Sequence, residues 1–225
     1  MKNPSNAVWN PARRALLAFG FLLIGAMALG ASPARAATPA ESFVQVNVQK
    51  GFDILNNKSL SPAERDRQFR AFLLSLTDIP RIALFTLGNG RRTATPAEIA
   101  AFTDAFRDYA TAIYQSRLSK YSGQTLRVTG SQQIAPGDTV VTTNLVDPTS
   151  VNSQRSPLQV GFRVDGTNHF TVKDVSVEGV WLAIEQRDQF AAFLSSNGGN
   201  VPALTAHIQK LTQQLQNGGA TTTNN

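Results

Sequence analysis

From Phe170 to Val177 apolar residues follow a strand-like pattern, and from Leu182 to Leu194 they recur at helical spacing. One short stretch, His169 to Phe190, therefore turns a strand into an amphipathic helix. Val172 and Val175 break strict alternation, which predicts a bulge near Lys173 and Asp174. Gly179 lets the chain bend before Leu182, Ala183, Gln186, Phe190, Phe193 and Leu194 form one face of a helix.

Upstream, the same helix start is spelled three times: Thr38-Pro39-Ala40-Glu41, Ser61-Pro62-Ala63-Glu64 and Thr95-Pro96-Ala97-Glu98. Each predicts a capping box with proline at the first helical position, where its missing amide costs nothing. The first helix carries Phe43, Val44, Val48, Phe52 and Leu55. The second shows a narrow stripe of Phe69, Phe72, Leu73 and Leu76 on an otherwise charged helix. Asp78 is placed to cap a short third helix with Ile79, Ile82, Ala83 and Phe85, closed by Gly88. A long fourth helix from Pro96 to about Lys120 has the inward stripe Ile99, Phe102, Phe106, Tyr109 and Ile113, with Asp104, Arg107 and Asp108 facing water.

From Gln124 the period changes to two, predicting strands over Gln124–Ile134, Thr139–Val146, Leu158–Asp165 and Phe170–Val177. Pro136-Gly137-Asp138 and Asp165-Gly166 are hairpin signals, so the strands should pair antiparallel in sequence order. Leu158, Val160, Phe162 and Val164 alternate with Gln159, Gly161 and Arg163, giving the sheet one apolar face. The link from Asp147 to Pro157 is long and polar. A last helix carries Leu204, Ile208, Leu211 and Leu215, and the tail from Asn217 to Asn225 reads as disordered. The expectation is an α+β domain over residues 37–216, with helices packed on a curved four-stranded antiparallel sheet and a pocket between sheet and long helix.

Composition alters this picture at the N-terminus. Lys2, Arg13 and Arg14 precede a mostly apolar run from Ala15 to Gly30, and Ala34-Arg35-Ala36 supplies small residues for cleavage, so residues 1–36 read as a signal peptide. Removing them lowers the formal net charge from +6 to +2 and leaves no basic stripe suited to nucleic acid. The chain has no cysteine, hence no disulfide and no thiolate metal site. A fold in an extracytoplasmic space must then be stable without covalent staples.

Candidate chemistry is sparse. There is no GxSxG, no HExxH and no phosphate-cradling glycine loop. The two histidines are His169, at a hairpin end, and His207, on the last helix. His169 with Asp174 would suit general acid or base work, but an exposed turn histidine accounts for it as simply. Glu178 reads either as a pocket acid or as a carboxylate accepting backbone amides at the start of the next helix. The stripe of Phe102, Phe106 and Tyr109 reads either as core or as the lining of an apolar cavity, and periodicity does not separate the two.

Several segments taken in order point further. They are Ile79 to Gly88, then Arg92, then Ala94 to Glu98 with Phe102, Phe106 and Tyr109, then Tyr121-Ser122-Gly123, then Asp174 to Val180 with Leu182, Arg187 and Phe190. Together they resemble the MlaC family, the toluene-tolerance type of periplasmic phospholipid-binding protein, which includes a hopanoid-associated branch. The resemblance spans about Ser42 to Leu215. It departs at Asn89-Gly90-Arg91, where the family often has an aromatic pair, and at Glu185-Gln186, where it often has an Asn-Tyr pair.

What the resemblance implies is an NTF2-like fold whose pocket encloses acyl chains, working without catalysis, metal or cofactor. Such a carrier moves lipid in the periplasm between an outer-membrane lipoprotein complex and an inner-membrane ABC transporter bearing an MCE-domain protein. The lining expected from position is Ile82, Phe85, Phe102, Phe106, Tyr109, Ile113, Val160, Phe162, Val172, Val175 and Leu182. Arg91, Arg92 and Arg187 are the candidates for a rim that meets a headgroup or a partner.

Overall fold

The computed structural model describes residues 36–118, 124–147 and 157–220. The expected signal peptide, Tyr121-Ser122-Gly123, most of the link after Asp147 and the last residues of the tail lie outside these.

Helix α1 (Pro39–Asn56) begins as its sequence requires: the Thr38 hydroxyl accepts from Glu41 N at 3.2 Å, and Thr38 N donates to Glu41 Oε2 at 2.8 Å. Helix α4 (Pro96–Leu118) repeats the reciprocal pair through Thr95 and Glu98, at 3.3 and 2.7 Å. These bonds hold the Glu98 carboxyl below its ordinary range, the Thr95 backbone amide acting most strongly. Helix α2 (Pro62–Leu76) is capped by Ser61, but the return bond is not made there, because Arg67 and Gln68 on the next turn take the Glu64 carboxylate instead. Asp78 caps α3 (Ile79–Leu87) through Arg81 N at 3.1 Å. A 3₁₀ turn, Gly88–Arg92, then leads to α4.

Strands β1 (Thr125–Ala135), β2 (Asp138–Val146), β3 (Gln159–Asp165) and β4 (Thr171–Val177) pair antiparallel in chain order. The four-stranded expectation misses a fifth strand, β5 (Val180–Trp181), which pairs with β4. It forms because Glu178 and Gly179 adopt φ values of 50° and 82°, the left-handed pair that closes a two-residue hairpin. The bulge falls where alternation breaks: Arg163 faces Asp174 while Val164 faces Val172, leaving Lys173 as the extra residue. Gly166, at φ 123°, makes the β3–β4 turn, and a Cβ there would lie 1.9 Å from the His169 carbonyl oxygen. Helices α5 (Leu182–Ser196) and α6 (Val201–Ala220) follow. The last helix continues through Asn217, Gly218 and Gly219, which the sequence assigned to a disordered tail, because the helical path of the preceding turns carries on to Ala220.

Two cores form. Helices α3, α4, α5 and α6 bury Ala83, Leu87, Phe102, Phe106, Phe190, Leu194, Leu204 and Ile208 together. Separately, Ala40 and Val44 of α1 pack on Val141 and Val164 of the sheet. Of the aromatic stripe, Phe102 is fully buried, its ring edge-on to Phe190 at 5.7 Å.

An ion-pair cluster joins β2, β3, β4 and α3. Arg163 reaches Asp138 through Nε at 3.1 Å and Nη2 at 2.7 Å, Lys173 Nζ lies 2.9 Å from Asp138 and 3.0 Å from Asp165, and Arg81 Nη1 lies 2.6 Å from Asp165. Hydrogen bonding from Arg163, then from Lys173, lowers the Asp138 pKa to about 2, against the penalty of burial. Asp165 is lowered too, by Lys173 first and then Arg81.

A folded-state pKa below the unfolded value stabilises at pH above the unfolded pKa and is lost as pH falls through the folded one. Asp138 should contribute about 2 kcal/mol at neutral pH. Asp138→Asn should therefore lower stability by about that amount in urea titrations at pH 7. Its deficit against the unsubstituted protein should shrink between pH 4 and pH 2, and an undiminished deficit at the acid end would refute the assignment. Gly166→Ala, forced into a positive φ and onto a backbone oxygen, should cost about 1–3 kcal/mol by the same measurement.

Candidate functional site

The bulged strand and the bend after it define one wall of a cavity. Oδ1 of Asp174 accepts from Val175 N at 2.8 Å and from Ala183 N at 2.9 Å, so one carboxylate oxygen fastens the bulge to the first turn of α5. Burial raises the Asp174 pKa against these two stabilising bonds. Sequence reasoning offered Glu178 either as a pocket acid or as the cap of this helix. In the structure the helix is capped from Asp174, while Glu178 Oε1 accepts from Gln159 N at 2.6 Å, because the left-handed turn carries Glu178 back toward the start of β3.

The cavity has a volume of about 360 Å³. Val160 and Phe162 of β3, Val172 and Val175 of β4 and Leu126 of β1 form its sheet side. Phe106, Tyr109, Ile113 and Tyr114 of α4, Ile79 and Ile82 of α3 and Leu182 and Gln186 of α5 form another side. Val44, Val48, Phe52 and Leu55 of α1 and Phe69, Phe72, Leu73 and Leu76 of α2 complete it. Polar side chains are few: Asn47, Thr77, Thr111 and Gln186 accompany Lys173 and Asp174. The Thr77 to Val172 bridge ties the α2–α3 elbow to the sheet beside them.

Most of the lining expected from the sequence is brought together here, but Phe85 and Phe102 are not. Phe102 lies on the same face of α4 as Phe106, yet one turn nearer the N-terminus, where α3, α5 and α6 close over it. Position along the helix, not the face, decides between core and cavity. Phe85 sits three residues beyond Ile82, ~60° short of a full turn around α3. It is exposed and stacks under Arg187, whose guanidinium lies 5.2 Å from the ring centre.

The three arginines expected at a rim are not among the cavity's lining residues. Arg187 spends its charge on Phe85 and on Asp188, with Nη2 at 3.1 Å. Arg91 and Arg92 are exposed on the 3₁₀ turn, which Gly90 anchors against Leu194 and Val201 of the helical core, away from the cavity lining. Sequence reasoning in turn placed the pocket between sheet and α4 and missed the contribution of α1 and α2. The signal was present: a narrow apolar stripe on a charged helix, as on α2, suits a wall that meets a cavity on one side and water on the other.

The catalytic alternatives lose their geometry. His169 is exposed in the β3–β4 turn, Glu178 sits at the opposite end of β4, and neither lines the cavity. Asp174 is engaged by two amides rather than by His169. Among the described residues no group of three or more His, Asp or Glu side chains could hold a metal ion, and no helix is long and apolar enough to cross a membrane.

Among solved structures, the chain is similar to the phospholipid-binding protein of Ralstonia solanacearum, solved in complex with a phospholipid. The two share 22% identity at a TM-score of 0.62, over 77% of this chain and 98% of that one. That likeness establishes the fold, an NTF2-like α+β arrangement of helices and antiparallel sheet. The family model described as MlaC protein matches residues 45–213. This match runs from within α1 to within α6 and takes in nearly every element that walls the cavity, and on it the chain belongs to the MlaC family.

Proposed function

We propose that this protein is a periplasmic phospholipid carrier that encloses acyl chains in the cavity and leaves the headgroup in water. The family is one of lipid-binding carriers rather than enzymes. The observation that carries the proposal is the cavity itself, apolar on every side and within the range of about 300–1,000 Å³ usual for ligand sites. An acyl chain in this cavity covers apolar lining that water would otherwise wet. Each methylene taken out of water is worth about 0.8 kcal/mol, so a chain of about 16 carbons gains roughly 13 kcal/mol by entering.

Residues 1–36 would direct export and be removed, and the mature chain would shuttle lipid in the periplasm. Its partners would be an outer-membrane lipoprotein complex and an inner-membrane ABC transporter with an MCE-domain protein. The Ralstonia solanacearum protein, which carries a phospholipid on the same fold, supports a phospholipid as cargo here. Of the expected lining, the contacts to acyl chains fall to Ile82, Phe106, Tyr109, Ile113, Val160, Phe162, Val172, Val175 and Leu182, with Phe85 and Phe102 withdrawn. A hopanoid is the other cargo the apolar wall would accept, since such a wall selects weakly between hydrocarbons.

Native mass spectrometry of protein purified from its own envelope should show a co-purifying phospholipid, and delipidated protein should take one up again. Recovery of a polycyclic lipid alone would replace the phospholipid assignment, and failure to take up any lipid would remove the carrier reading. Ile113→Trp puts an indole into the cavity in place of at least two methylenes of cargo, about 1.6 kcal/mol. Uptake of a fluorescent phospholipid should weaken at least tenfold while circular dichroism stays unchanged. Full uptake by this variant would place the cargo elsewhere.

A further inference from the structure

Helix α2 is built differently from its neighbours. Its large apolar side chains, Phe69, Phe72, Leu73, Leu74 and Leu76, all line the cavity, and none belongs to either buried core. Only Phe69 among them is fully buried. Asp66, Arg67 and Arg70 lie off the stripe of Phe69, Phe72 and Leu76, while half-buried Arg65 precedes Phe69 on it by one turn. Beyond Phe69, the apolar face of this helix is only partly covered by fixed packing, so what fills the cavity decides how much more of it leaves water.

Among the described residues, the polar contacts from α2 to α4 are exposed. Arg70 pairs with Asp108 of α4, both exposed, and Gln115 Nε2 reaches the Asp66 carbonyl at 3.5 Å. Exposed contacts of this kind contribute less than about 1 kcal/mol each. Against α1, the Phe72 and Phe69 rings lie over Gly51, where there is no side chain to interlock. Both flanks leave the helical path: residues 57–60 precede the Ser61 cap, and Thr77 is extended, with φ −126° and ψ 142°, before Asp78 opens α3. Thr77 is itself pinned to Val172 of β4. That leaves α2 fixed at its C-terminal end and freer along its length, the arrangement of a flap on a hinge.

We infer that α2 is the lid of the cavity, swinging about Thr77 and Asp78 to admit or release acyl chains and closing when their methylenes cover its apolar face. This rests on the carrier reading above and adds the route to it. It follows that loading stabilises the closed position and that holding α2 against α4 traps cargo.

The absence of cysteine from the chain makes a direct test possible. Arg70→Cys with Asp108→Cys places one thiol on α2 and one on α4, and a flexible bis-maleimide joins them. The same double variant capped with N-ethylmaleimide loses the ion pair equally but leaves α2 untethered. Both forms are given vesicles carrying a fluorescent phospholipid, and uptake and release are timed. The capped form should exchange lipid readily, and the bridged form should exchange at least tenfold more slowly. A bridged form loaded before cross-linking should retain its lipid. Equal rates for bridged and capped protein would overturn the lid and leave the carrier reading intact. Unsubstituted protein that takes up no lipid would overturn the carrier reading, and the lid with it.

Discussion

The apolar face of the sheet has to be kept from water, and it is wider than the helices packed directly on it. Near the hairpin ends the cover is ordinary core, with Val141 and Val164 meeting Ala40 and Val44. Farther along, Val160, Phe162 and Val175 face side chains of α2 and α4 across a space instead of against them. The helical core prevents that space from collapsing. Phe102, Phe106, Phe190, Leu204 and Ile208 lock α4 to α5 and α6, so α4 cannot move inward to fill the gap without giving up packing worth far more.

The polar parts of the molecule hold that geometry open. Asp174 ties the bulge of β4 to the first turn of α5 by two backbone bonds from one oxygen, accepting the penalty of burial. Lys173, the bulge residue beside it, is held between Asp138 and Asp165, and Arg81 draws α3 onto the same cluster. Of these charges, Lys173 and Asp174 reach the cavity lining, and the others tie three strands to the start of α3. Their effect is to brace one side of an apolar container, and they contribute no reactive pair to its interior. Helix α2 takes no part in a cluster of this kind, and Phe69 is its one fully buried apolar side chain.

Much of this was legible in the chain. Helix starts at Thr38, Ser61, Thr95 and Asp78 follow from side chains that satisfy amides within three residues, a local event independent of the rest of the fold. Strand order followed from turn residues, and the bulge at Lys173 from a single break in alternation. Capping of α5 by Asp174 was not legible, since it joins residues nine apart across a two-residue hairpin that reverses the chain. The setting of Arg187 was not legible for the same reason: sequence shows that Arg187 is a cation, but not that Phe85 lies beneath it.

By itself, then, the sequence determined the elements, their order and their apolar faces, because periodicity and capping act over a few residues. Only the tertiary structure decided which of those faces meet each other and which meet a cavity. Phe102 and Phe106 are alike in type and share one helical stripe, but the first is sealed by Phe190 and its neighbours while the second also reaches open space. The difference arises from the lengths and angles at which distant helices cross, and that information belongs to no local window of residues.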